Sequence, residues 1–244
     1  MDRAYWIIWY DLPPENDAYL DWLHRSYIPK VVQRPGVLWA AHYASVPNVA
    51  PLGGGKGRVS HHASSAEVPS GGRYILIFGA SAAHAFANPG AREFHSQLPD
   101  GDRKMLAMRT GERTNIMVEE ARIDGPEAKR PDPELTPGPW IQLGSFNSIS
   151  YQDEDEMARW YAQWRLRSLK ALPGVIRVRK LVSVSGWAKH ACFYEFTSLE
   201  ARAEHFVHYE STHPEMEAWS KKIVSRLVHA TPLPSVAQRI WPPA

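Results

Sequence analysis

One cysteine, Cys192, in 244 residues leaves no intrachain disulfide and no cysteine-rich zinc site to consider. Charge of one sign is also missing. The 28 Lys and Arg against 26 Asp and Glu leave a net +2, and no basic block is interleaved with aromatics. Neither nucleic acid nor an anionic membrane is therefore an expected partner. No apolar run approaches the ~20 residues a membrane-crossing helix needs. The start of the chain has no basic stretch followed by an apolar one, so no signal peptide is expected and the expected location is the cytoplasm. The run Gly53-Gly54-Gly55-Lys56-Gly57 lacks the Ser or Thr that must follow the lysine of a phosphate-binding loop.

What the chain does have is the same plan written twice. Trp22 stands thirteen positions before Pro35-Gly36-Val37, and Trp160 stands thirteen before Pro173-Gly174-Val175. Each block follows an apolar run, Trp6-Ile7-Ile8-Trp9 or Trp140-Ile141-Gln142-Leu143. Further on, Arg73 to Pro126 lies on His190 to Pro243 without a gap at an offset of 117. Two copies of a small α+β unit follow from this order of elements.

In the first copy the patterning predicts a strand over Tyr5–Tyr10, then a helix over 15–33 with Tyr19, Trp22, Leu23, Tyr27 and Val31 on one face. Pro29 should kink that helix or end it early. Strands over Leu38–Val46 and Tyr74–Phe78, a short helix from Ser81 and a strand over Thr114–Ala121 complete the copy. The second copy repeats this with strands over 140–146, 175–184 and 190–197 and helices over 153–172, 198–209 and 214–229. Each copy is thus βαββαβ, an antiparallel sheet with helices on one face. The units are assigned to 1–126 and 139–244, with the Pro-rich segment 127–138 as linker. Between strands two and three, the first copy has a long loop, 47–72, expected to be either a lid or disordered.

The first helix and its Pro-Gly end, with Trp22, Tyr27, Ile28, Pro29, Pro35 and Gly36, resemble the EthD-like group of the dimeric α/β-barrel superfamily. That resemblance implies two ferredoxin-like sheets packed face to face, here as a pseudo-dimer within one chain. It also implies a pocket between sheet and helices used for cofactor-independent chemistry on hydrophobic ring compounds. Chlorite-dismutase-like haem proteins share the two-unit plan, so haem is a rival expectation. The histidine usual in the EthD-like helix falls on Tyr27 in one half and Arg165 in the other.

Equivalent positions of the two copies differ in chemistry. His24, Tyr27 and His42 correspond to Ala162, Arg165 and Lys180, and Asp11 to Ser145 or a neighbour. The first copy therefore gathers a carboxylate, two histidines and a phenol, groups that can move protons near neutral pH. The expected roles are His42 as base between the small residues Ala40 and Ala44, Tyr27 or His24 as donor, and Asp11 orienting a histidine. Trp6, Trp9, Trp39 and Tyr43 are expected to form an aromatic wall for a flat substrate. His61 and His62 would close over it from the loop, or serve as a metal pair. His205, His208 and His213, with Glu210, form a second-half cluster in which His208 is the best haem ligand. Cys192, in an apolar strand, reads as inert packing.

The expected function is a cofactor-free, metal-free lyase, isomerase or cyclase acting on a small hydrophobic cyclic or aromatic compound. A haem enzyme and a non-catalytic binder of hydrophobic metabolites are the rivals, and a homodimer is an open expectation.

Overall fold

The computed structural model of the chain describes residues 1–47, 49, 60–128, 136–231 and 235–243. Ten strands are named in chain order: β1 Ala4–Asp11, β2 Val37–Ser45, β3 His61–His62, β4 Tyr74–Ala80, β5 Thr110–Asp124, β6 Trp140–Ser148, β7 Val175–Gly186, β8 His190–Phe196, β9 Leu227–His229 and β10 Ser235–Trp241. The first half pairs as β2-β4-β1-β5 and the second as β10-β6-β8-β7. Two seams, β5 with β7 and β10 with β2, join them into a closed eight-stranded antiparallel barrel. The short strands β9 and β3 extend one edge from β6. Among the described residues no helix is long and apolar enough to cross a membrane.

Strand alternation divides the apolar residues into three main layers. Tyr5, Ile7, Trp9, Trp39, Tyr43, Ile75, Met117, Leu143, Leu181 and Phe193 fill the barrel. Trp6, Ile8, Tyr10, Leu76 and Phe78 face outward onto the first-half helices. Val178, Cys192 and Tyr194 do the same in the second half, against Trp160, Tyr161 and Phe206. The expected aromatic wall is therefore divided: Trp6 stands outside the barrel, and Trp9, Trp39 and Tyr43 stand inside it. Gly79 shows how closely the inside is packed. A Cβ there would lie 2.1 Å from the Trp39 ring.

The ungapped offset of 117 also needs a correction in β4 and β8. It lays Tyr74, which faces the helices, on Ala191, which faces into the barrel. A slip of one residue turns every side chain of a strand to the other face.

The first long helix does not end at Pro29. It runs as α-helix Asp17–Trp22, a π-helical turn Leu23–Tyr27 and α-helix Ile28–Val32. The Ile28 N–H donates to the Leu23 carbonyl five residues back, so the widened turn absorbs the proline before it can break the helix. The second half has the same device, Tyr161–Arg165, between Tyr151–Trp160 and Leu166–Leu169. Its Ser150 caps the helix by accepting from the Asp153 N–H. The helix expected over 214–229 ends at Val224, and 227–229 forms β9.

Candidate functional site

Arg109, between the helix Asp100–Leu106 and β5, is the centre of the first half's polar interior. Its Nε donates to the Tyr19 hydroxyl at 2.6 Å and its Nη1 to Glu112 at 3.0 Å. Its guanidinium carbon lies 4.6 Å from the ring centre of Tyr10, 5.4 Å from that of Tyr27 and 5.9 Å from that of Tyr19. Nη2 has no partner among the described residues. Burial opposes the charge, but the hydroxyls of Tyr19, Tyr10 and Tyr27 and the Glu112 carboxylate outweigh it and raise the pKa above the usual arginine value. The result is a fixed cation in an aromatic box with one hydrogen-bonding edge unused.

Two hydrogen-bonded branches lie beside this cation. In one, the Tyr27 hydroxyl meets His95 Nε2 at 2.7 Å. Burial raises the Tyr27 pKa, and burial together with the Arg109 charge lowers that of His95. Both are neutral at pH 7, so a phenol and an uncharged imidazole share this hydrogen bond, with its donor set by the histidine tautomer. In the other branch, Tyr10 meets His42 Nε2 at 2.9 Å, and His42 Nδ1 meets His24 Nε2 at 2.9 Å. Burial, then the His24 and Arg109 charges, hold His42 well below the usual histidine value.

Space is found on the His95 side. An open cleft of about 370 Å³ is lined by His95, Ser96, Arg103, Leu106, Ala107 and Glu112. Next to it, sharing Ser96, lies a groove of about 1100 Å³ with Trp6, Phe86, Thr114 and Ile116 among its walls. Trp6 links the two. Its Nε1 donates to Thr114 Oγ1 at 2.7 Å, and its ring centre lies 5.9 Å from that of His95. The groove is thus apolar, and the cleft beside it carries a base and a carboxylate backed by a buried cation.

Several sequence-derived assignments change at this point. His42 is fully buried and lines neither cavity. Tyr10, Tyr74 and His24 enclose it, and Trp241 of β10 stacks on His24, so the room expected beside Ala40 and Ala44 is taken. His24 and Tyr27 do not act on one spot: the π-helical turn sends one to His42 and the other to His95. Asp11 orients no histidine. Its Oδ1 accepts the backbone N–H groups of Gly72 at 2.9 Å and Arg73 at 2.7 Å.

His61 and His62 do not reach the first-half cleft. They are exposed in β3, which pairs in parallel with β9 of the second half, and the His62 ring centre lies 6.0 Å from that of His229. Residues 48 and 50–59 of the expected lid lie outside the described residues. Sequence reasoning missed Arg109, His95 and Glu112. Only the presence of three tyrosines to receive a buried cation could have suggested the first of them.

The second half is filled where the first is open. Arg165, at the position of Tyr27, pairs with Glu210 and the Tyr209 hydroxyl and donates to the Tyr194 hydroxyl at 3.2 Å. Trp160, Tyr194, Phe206 and Tyr209 surround its guanidinium. Lys180, at the position of His42, meets His190 Nδ1 at 2.9 Å, and His190 Nε2 meets Glu154 at 2.9 Å. Cys192 is buried within this layer, its thiol pushed up by burial, which suits packing better than reactivity.

These residues do not fit a haem. His208 is exposed rather than facing the sheet, His213 is exposed and bonded to Thr212, and His205 lies beside Glu204. The Arg165–Glu210 pair and the rings of Trp160, Tyr194, Phe206 and Tyr209 stand between the second-half helices and the sheet. Among the described residues no three His, Cys, Asp or Glu side chains are grouped to hold a metal ion.

No protein-family profile matches the sequence, and no curated protein is recognisably similar to it. Solved structures are. An anthrone oxidase-like protein superposes with a TM-score of 0.62 at 11% identity, covering 98% of this chain and 91% of that one. A Fusobacterium nucleatum protein named as a monooxygenase gives 0.59 at 8% identity, over 98% and 92% of the two chains. A dye-decolorizing protein from V. cholerae gives 0.54 at 11%, over 97% and 93%. At these identities the likeness concerns the fold. The chain shares with them the fold of a closed eight-stranded antiparallel barrel built from two tandem ferredoxin-like units, and its structural neighbours are mostly enzymes.

Proposed function

We propose that the protein is a cofactor-independent enzyme that removes a proton from a small hydrophobic ring compound and holds the resulting anion, in lyase, isomerase or cyclase chemistry. The observation that carries this reading is Arg109, a buried cation with an unused hydrogen-bonding edge, directly behind a cleft walled by His95 and Glu112. The ring compound lies in the groove against Trp6 and Phe86, with its acidic edge toward the cleft. His95 takes the role that the sequence assigns to His42. In the tautomer whose Nε2–H donates to the Tyr27 hydroxyl oxygen, Nδ1 is the basic atom. Arg109 favours the enolate or phenolate that forms, in a low-dielectric setting where a fixed cation acts strongly.

The resemblance of the first helix, with Trp22, Pro29 and Pro35-Gly36, to the EthD-like pattern, and a fold neighbour named as anthrone oxidase-like, support a keto-ring substrate. The test is deuterium exchange into cyclic 1,3-diketones and hydroxylated polycyclic ketones, followed by NMR in D₂O. Wild type is expected to accelerate exchange, and His95→Ala to lose about 100-fold or more, the usual contribution of a positioned base. Undiminished exchange by His95→Ala refutes the assignment. A panel that binds, by quenching of tryptophan fluorescence, with no exchange above background supports the non-catalytic binder instead.

A further inference from the structure

The floor of the large groove crosses from one half of the chain into the other. Trp6 of β1 pairs with Ile116 of β5, and Ile116 pairs with Ser185 of β7. The second of these steps is the β5–β7 seam, so the groove has walls from both halves. Ala83, Ala87 and Ala91 border it on the side of the first-half helical segments, and Val184 and Ser185 border it on the side of β7.

Its dimensions exceed what a single ring requires. The row from Trp6 to Ser185 covers two inter-strand spacings, about 10 Å. At its first-half end the His95 ring centre lies 5.9 Å from that of Trp6. The groove measures about 1100 Å³. Sites that take drug-sized ligands seldom exceed about 1,000 Å³.

The chemistry of the walls describes the occupant. The charged residues among them, Arg92 and Glu93, are of opposite sign and exposed, so the groove favours neither a cation nor an anion. Val184 is 59% exposed, one of four large apolar side chains exposed among the described residues. A single exposed valine is ordinary in itself. This one stands on an apolar wall that continues, through the shared Ser96, into the His95 cleft. A molecule lying along the groove removes it from water, which favours binding in proportion to the apolar area covered.

We propose that β7 of the second half supplies the specificity-determining wall of the site, with Val184 and Ile116 holding the non-reacting end of an elongated, uncharged substrate of at least three fused rings. The assignment rests on the proton-transfer reading of the cleft. The reacting ring lies toward His95, and the remaining rings extend over Trp6 and Ile116 to the seam. A one-ring ketone leaves the seam end of the groove empty, and the first half alone would lack its outer wall.

The test compares wild type with Val184→Asn in deuterium exchange into a one-ring 1,3-diketone and a linear three-ring hydroxyketone. The ratio of kcat/KM for the long substrate to that for the short one should fall about 10-fold in the variant, the scale of losing a methylene-sized contact in an apolar pocket. The loss should appear chiefly as a higher KM for the long substrate, and an unchanged ratio overturns the proposal. Calorimetric binding of a non-enolisable three-ring aromatic alcohol needs no turnover and should weaken by a similar factor. If wild type exchanges neither ketone, the proton-transfer reading fails by itself. The binding comparison then judges the seam wall: weaker binding by the variant supports it, and equal binding overturns it. If Val184→Asn does not fold, the isosteric Val184→Thr takes its place, with losses in the same direction.

Discussion

Replacing His42 by leucine separates a structural role from a catalytic one. The substitution removes the imidazole between Tyr10 and His24 while keeping an apolar side chain of comparable bulk. His24 is half-buried and can turn to water. The Tyr10 hydroxyl is fully buried and loses its histidine partner, which costs about 1–3 kcal/mol.

A pH dependence follows, because His42 is held well below its ordinary pKa by burial first and by the His24 and Arg109 charges second. Below the ordinary value of about 6.5, the unfolded chain takes up a proton at this residue and the folded chain does not. Stability at this site is thus complete above pH 6.5 and declines as the pH falls toward the folded pKa, by about 1.4 kcal/mol per pH unit. From pH 6.5 downward wild type should lose stability that His42→Leu keeps. Urea unfolding at several pH values measures this directly. The variant is less stable at pH 7.5, and the two curves converge as the pH falls toward 5. Parallel curves would show that His42 is not neutral in the folded protein and would refute the reasoning.

Two further outcomes test the packing of the halves. Glu210→Gln leaves the Arg165 guanidinium buried without its carboxylate, with tyrosine hydroxyls as weaker acceptors, and should cost about 3 kcal/mol in chemical unfolding. A loss below 1 kcal/mol would mean that the ring of aromatics alone satisfies the charge. Gly79→Ala drives a methyl group into the Trp39 ring inside a filled barrel and should cost about 1–3 kcal/mol, read as a lower melting temperature with no change at the first-half cleft. An unaltered melting temperature would contradict the packing described here.

The fold was legible because it depends on order: apolar runs, amphipathic helices and a Pro-Gly break recur in the same sequence in both halves. The site was legible only in part, for reasons that particular residues make clear. Trp6 and Trp9 sit three apart on one strand, and alternation alone sends them to opposite faces; treating them as one wall overlooked this. His42 looked accessible because its strand neighbours are alanines, but Trp241 arrives from the far end of the chain to cover it. His95 and Glu112 acquire meaning through Arg109, whose burial depends on tyrosines from β1 and from the first helix. No local pattern around Arg109 announces that company. Asp11 is legible in the sequence as a carboxylate at a strand end, but its use, holding the backbone at Gly72 and Arg73, is a long-range contact no spacing reveals.

When a barrel of this kind is assembled from two identical chains, every substitution is made twice and both sites must tolerate it. Here the β5–β7 and β10–β2 seams join unlike halves of one polypeptide. A mutation that fills one side with a bulky ion pair, as Arg165 and Glu210 do, need not touch the other. Joined in one chain, each half can vary on its own, so one can be filled by a buried ion pair while its twin keeps an open cleft.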